Sequence, residues 1–471
     1  MDLTIILDFV LRLTIAGIII IRNRSSTAVR LSWVIVVLAV PFIGAALYLL
    51  FGEVWRRSGR LAAHNKIIDA VRAEMTGTEH VTTLDRNARP GTGISAHVFQ
   101  RLGGFPARRG NRLQLYGEQG EIIKRIAEDI DGARVSCHLL FYIWLDDTAG
   151  NTIADALIRA CKRGVDCRVL VDGLGSSRFL RSRLRKNMVA GGIEVAAAFP
   201  LGRFNIRMDH RNHRKIVVID GRIGWTGSSN MADAEFRIKP DFAPWIDVMA
   251  RIAGPAVHDL QTIFIEDWLL ETNAELATLV TPVPEPEPGG SDVQVFASGP
   301  TIDLQIMRQL AVVFLFLARR EIVITTPYFV PDEVSVNAYC ALARSGVRTR
   351  LIVPQRNDSR LIAAASRSFY DELLDAGVEI YEYRPGLLHA KTVTIDADWS
   401  LLDTANFDRR SFELNYEVSF ATRDENFTAQ LYELQMDYLR NSERIAPDRW
   451  RNRAVYRRLL ENSARLLAPL L

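Results

Sequence analysis

The chain has 471 residues, 48% hydrophobic and 24% charged, with 58 basic residues against 55 acidic ones. That length suits two or three domains, and that apolar share excludes global disorder. A net charge of +3 is too balanced to argue for a nucleic-acid partner.

The N-terminus carries two apolar stretches. Leu3 to Ile21 is broken only by Asp8 and Arg12, and Leu31 to Phe51 has no charge. Roughly 20 apolar residues cross a bilayer as a helix, so the two read as a membrane hairpin. Asp8 and Arg12 stand one turn apart, within pairing reach. A cleaved signal peptide fits less well, because Asp2 is the first charge and an arginine cluster follows where a small-residue cleavage site belongs. The link carries Arg22, Arg24 and Arg30, and the far flank Arg56, Arg57, Arg60 and Lys66. That near balance leans toward a cytoplasmic catalytic region.

After a linker over 58–110, strands alternate with helices. Gly120 to Asp131 reads as a helix, Val135 to Trp144 as a strand, Ile153 to Arg163 as a helix and Cys167 to Val171 as a strand. The order recurs at Ile302 to Arg319, Ile322 to Phe329, Val336 to Ser345 and Thr349 to Val353. The fold class is therefore α/β, with mixed sheets flanked by helices. The duplication predicts two homologous halves, 111–280 and 291–447, about a pseudo-two-fold. A proline-rich link, 281–290, joins them. The last stretch, 448–471, reads as a basic amphipathic helix that either lies on anionic lipid or docks on the domain. Cys137, Cys161, Cys167 and Cys340 match no zinc or Cys-x-x-Cys spacing and read as buried small hydrophobes.

The chemistry sits in two copies of one motif. The first is His213, Lys215 and Asp220 followed by Ser228 and Asn230. The second is His389, Lys391 and Asp396 followed by Thr404 and Asn406. Residues two apart on a strand share a face, so each His points with its Lys. The motif aspartates lie an odd number of residues from Lys, better placed to hold backbone or the opposite motif. An imidazole beside an ammonium, present twice, suits a phosphate site. One His attacks phosphorus and the other moves the proton of the leaving or entering oxygen. The lysines, Ser228, Asn230, Thr404 and Asn406 would bind the phosphate oxygens. Asp247 and Glu417 stand at matching downstream positions as acids that fix the imidazole tautomers. No metal or other cofactor is required, and His210 beside His213 does not make a metal pair.

These motifs resemble the paired His-Lys-Asp signature of the phospholipase D superfamily. The flanks Phe141 to Trp144, Thr326 to Asp332, Leu387 to Lys391, Asn406 to Glu417 and Ala468 to Leu471 resemble those of bacterial cardiolipin synthases. So do Pro41 to Gly44 and Tyr48 to Glu53. The resemblance implies a multi-pass protein of the bacterial inner membrane acting on phosphatidylglycerol. One lipid gives a phosphatidyl-histidine and releases glycerol, and the hydroxyl of a second takes the phosphatidyl group to form cardiolipin. By the family's pattern His213 is the nucleophile and His389 the acid/base, with Asp220 and Asp396 counted in the catalytic motifs. The alternatives are hydrolysis by water, or transfer to another alcohol such as that of phosphatidylethanolamine. A nuclease is disfavoured for lack of a polybasic groove. An oligomer is compatible with the sequence. One departure stands out: Asp403 precedes Thr404 where Gly227 precedes Ser228. Its carboxylate either repels the phosphate or turns away toward Arg409 or Arg410.

Overall fold

The computed structural model describes residues 3–21, 27–49, 58–75, 80–82, 105–200, 210–300 and 306–466. The expected arginines Arg22, Arg24, Arg56 and Arg57 and the Ala468–Leu471 stretch lie outside these.

Runs of Val, Ile, Leu and Ala fill the central strands, which are buried along almost their whole length. Ser136–Phe141 runs parallel to Asp166–Asp172, and that strand parallel to Glu194–Ala198. On its other side come Ile216–Ile219, Ile223–Gly227, Met249–Ala253 and Ala107–Tyr116, each antiparallel to the one before. A second set has the same order of directions. Glu321–Thr325 runs parallel to Arg348–Pro354, and that strand parallel to Glu379–Tyr383. On its other side lie the antiparallel Thr392–Ile395, Trp399–Asp403, Asn415–Thr422 and Ser291–Ser298. Ser291–Ser298 pairs antiparallel with Ala107–Tyr116, and among the described residues one mixed sheet of 17 strands results.

Helices cover the sheet by their apolar faces. Gln119–Asp131 buries Ile122, Ile123, Ile126 and Ile130, the spacing of one helical face. The expected 58–110 linker is in part structural. The helix Ser58–Glu74 packs on Val257–Glu271. Ile67, Val71 and Met75, four apart, join the core there, and His258 Nε2 lies 2.8 Å from the Met75 carbonyl.

The second apolar segment departs from expectation. It is split into Thr27–Ala39 and Ile43–Leu47. Pro41 has no N–H to give and disfavours a helical residue before it, and Phe42 sits at φ 54°. One helix among the described residues, Thr4–Ile21, is long and apolar enough to cross a membrane. The break is bridged from that helix. Asp8 Oδ1 accepts from the Phe42 N–H at 3.0 Å, and Arg12 donates to the Leu38 carbonyl at 2.8 Å. The two side chains pair with each other at 2.5 Å.

Candidate active site

Each motif histidine leaves the end of a short strand that pairs with the other motif's acid-bearing strand. Arg211–Asn212 runs parallel to Asn415–Tyr416, and the His213 N–H donates to the Tyr416 carbonyl at 2.9 Å. Leu387–Leu388 runs parallel to Trp245–Ile246, and the His389 N–H donates to the Ile246 carbonyl at 2.8 Å. The next residues in those partner strands are Glu417 and Asp247. This pairing sets each imidazole against the distant acid: His213 Nδ1 is 2.9 Å from Glu417 Oε2, and His389 Nδ1 is 2.7 Å from Asp247 Oδ1. With Nδ1 donating to carboxylate, Nε2 is the nitrogen left for chemistry. Both histidines line one pocket of about 410 Å³.

The lysines are fully buried and donate to the carbonyls of their own histidines, Lys215 to His213 at 2.6 Å and Lys391 to His389 at 2.5 Å. Burial pushes Lys215 down to about 7 and Lys391 to about 8, against the pull of Glu417 and Asp247. The lysines also repel each other, so an anion between them would relieve both. Burial and the lysines pull His213 to about 4 against the attraction of Glu417, and lower His389 as well. Burial would raise Asp247, but His389 and Lys391 outweigh it and leave the carboxylate at about 2. Glu417 is likewise lowered by His213 and Lys215 in spite of burial.

Asp220, Asp396, Ser228, Thr404, Lys215 and Lys391 are absent from the pocket lining. Asp220 accepts from the backbone N–H groups of Arg134, Val135 and Ser136, and Asp396 from those of Arg319, Arg320 and Glu321. Their odd spacing from Lys carries them past the strand end to tie each set's first strand to its motif strand. Ser228 and Thr404, expected on phosphate, instead donate to the acids at 2.6 Å, Ser228 to Asp247 and Thr404 to Glu417. Each is fully buried behind its carboxylate. Asn230 and Asn406 do line the pocket. Asp403 is not in the pocket lining, and among the contacts of the described residues it makes none with Arg409 or Arg410. It accepts from the Ala405 N–H and from Ser419 Oγ, and burial raises it to about 7.

The sequence motifs leave several pocket residues unmarked. Tyr142 meets the His213 ring edge-on at 4.9 Å, and Trp245 tilts against His389 at 4.7 Å. Arg211, Arg410 and Lys239 add cations to the lining. Tyr142 and Tyr328, both in the lining, lie just past the ends of Ser136–Phe141 and Glu321–Thr325.

The paired motifs on a large mixed sheet define a phospholipase D-like α/β protein. Residues 126–268 and 314–438 match the family described as "Cardiolipin synthase, PLD-like domain", and residues 13–53 match the phospholipase D-nuclease N-terminal family. Cardiolipin synthase A of Yersinia pseudotuberculosis is 36% identical over 98% of this chain and 96% of its own. That of Pectobacterium carotovorum subsp. carotovorum gives the same identity and coverage. The crystal structure of phosphatidylserine synthase from Haemophilus influenzae Rd KW20 superposes with a TM-score of 0.62 at 17% identity, over 80% of this chain and 99% of that one. The chain belongs to the cardiolipin synthase family of phospholipase D-like proteins.

Proposed function

We propose that the two histidines make cardiolipin by phosphatidyl transfer in two displacements at one phosphorus. The protein is a cardiolipin synthase, and the observation that carries the mechanism is that both imidazoles, each buttressed at Nδ1 by a buried carboxylate, line the same pocket. His213 Nε2 attacks the phosphorus of phosphatidylglycerol, the phosphorus–glycerol oxygen bond breaks, and His389 gives the leaving alkoxide a proton. The hydroxyl of a second phosphatidylglycerol then loses its proton to His389 as its oxygen attacks. The phosphorus–nitrogen bond breaks and His213 is returned. Lys215, Lys391, Asn230 and Asn406 hold the phosphate oxygens. The bound phosphodiester offsets the two ammonium charges, so His389 gains its proton when substrate arrives.

We read the two strand sets as homologous halves about a pseudo-two-fold, because their order and directions match and each contributes one His, one Lys and one acid. Both apolar N-terminal segments enter the bilayer on this reading, the second as a broken helix. An unsatisfied backbone group there costs several kcal/mol, and Asp8 and Arg12 supply the missing partners.

The test is lipid profiling of cells lacking cardiolipin. Wild-type protein is expected to restore it and His213→Ala is not. Phosphatidic acid accumulating without cardiolipin would show water to be the acceptor. A phosphatidyl adduct is expected on His213 in the His389→Ala protein, and an adduct on His389 in the converse variant would reverse the roles.

A further inference from the structure

A cavity of about 700 Å³ lies apart from the catalytic pocket and shares no lining residue with it. It is lined by six arginines against three glutamates, and by Trp450, Tyr456 and Leu460. Four of the six are engaged: Arg367 with Glu382, Arg444 with Glu379, Arg449 with Glu443, and Arg453 with Asp371 and Glu461. Arg360 and Arg457, on facing helices, make no ion pair among the described residues.

The helix that forms one wall, Val455–Leu466, is mounted with its polarity reversed. Its buried positions are Glu461 and Ala464. Its apolar residues point outward, with Val455 80%, Leu459 67% and Leu466 80% exposed. At 100° per residue these three fall in a narrow sector, widened by Tyr456 and Leu460 on the cavity side. The opposite wall, Arg360–Arg367, stands between this cavity and the catalytic pocket. Ile362 lines the catalytic pocket, while Arg360, Ala363 and Arg367 line the arginine cavity.

We propose that this cavity and the outward face of Val455–Leu466 form a second, non-catalytic site for an anionic phospholipid of the bilayer. The phosphodiester sits between Arg360 and Arg457, and the acyl chains lie along Val455, Leu459 and Leu466. Surplus cations beside an unpartnered apolar sector fit a molecule with an anionic head and a hydrocarbon body. The helix Thr4–Ile21, apolar enough to span a membrane, brings a bilayer to the protein. The lipid so held abuts the wall of the catalytic pocket. The site does not depend on the reaction in that pocket.

Hydrogen exchange of the full chain in nanodiscs tests this, using the His213→Ala protein so that no lipid is turned over. Adding phosphatidylglycerol to phosphatidylcholine discs is expected to raise the protection of 455–466 about thirtyfold, roughly fivefold for each arginine. Arg360→Glu with Arg457→Glu should abolish that rise, while unchanged exchange in Ser136–Phe141 shows the fold intact. The proposal fails if phosphatidylcholine alone gives full protection. It fails also if soluble glycerol 3-phosphate gives protection without lipid, or if protection follows protein concentration, which would mark a contact with a second copy.

Discussion

His213 is oriented by Glu417, which stands 204 residues further along the chain, and not by the acid of its own strand set. His389 is oriented by Asp247 in the same crossed fashion. The cause is local. Each histidine's backbone is paired with the strand that ends at the distant acid, so the two sets must be assembled before either imidazole has its partner.

The crossed pairing separates two variants that the linear motif would confuse. Glu417→Gln leaves the size of the side chain unchanged but releases the His213 tautomer, and should slow formation of the phosphatidyl-histidine by about a thousandfold. Asp247→Asn should act on His389, slowing proton transfer to the leaving alkoxide and from the acceptor. Rapid-quench mass spectrometry of the adduct distinguishes them. Equal accumulation of adduct in both variants would contradict the crossed assignment.

The lysines set the alkaline limit of the reaction. Burial lowers Lys215 to about 7 and Lys391 to about 8. A lowered lysine loses its ammonium sooner as pH rises. In the free enzyme kcat/KM should therefore fall as pH rises through 7 to 8. Bound phosphodiester stabilises both charges, so kcat should persist to higher pH. On the acid side His213, near 4, is protonated and unable to attack only below that value. Lys215→Arg keeps its charge throughout and should remove the alkaline limb it controls. The planar fork fits the site poorly, at a loss of about a hundredfold in rate. A pH series of initial rates in mixed micelles measures both parameters.

We propose a structural role for Asp220. It holds three backbone N–H groups at the start of Ser136–Phe141 and itself adopts φ 53°. Asp220→Ala should cost about 1–3 kcal/mol of stability and leave the rate per folded molecule unchanged. Thermal melts with active-site titration separate these. A loss of rate at full stability would return Asp220 to the chemistry.

Part of the candidate site was legible because the motif repeats: two histidines and two Asn residues at equal offsets line one pocket, with each Lys buried against the carbonyl of its own His. Both orienting acids were legible as residue types, from Asp247 and Glu417 at matching positions. Which acid serves which histidine was not, since this depends on strand pairing across hundreds of residues. In the sequence Ser228 and Thr404 read as phosphate ligands, each a hydroxyl residue two before an Asn. Only the register of Gly227–Ser228 against Val248 shows the hydroxyl turned to carboxylate. The split at Pro41 had a plain signal in the proline itself, masked by an unbroken apolar run. The outward mounting of Val455–Leu466 had none, because an amphipathic pattern is the same whichever face is buried.

The Asp8–Arg12 pair offers a last prediction. Arg12 reaches the Leu38 carbonyl and Asp8 the Phe42 N–H, on opposite sides of the Pro41 break. Asp8→Leu removes the acceptor for Phe42 and leaves Arg12 without its counter-charge. A lone arginine at mid-helix costs about 3 kcal/mol for insertion. The single variant should therefore reach the membrane in much lower yield. Asp8→Leu with Arg12→Leu removes the uncompensated charge and should recover insertion, though not the two backbone contacts. Membrane fractionation of the single and double variants measures this. Equal yields from the two would mean that the pair is not buried in lipid and that the break is satisfied by water.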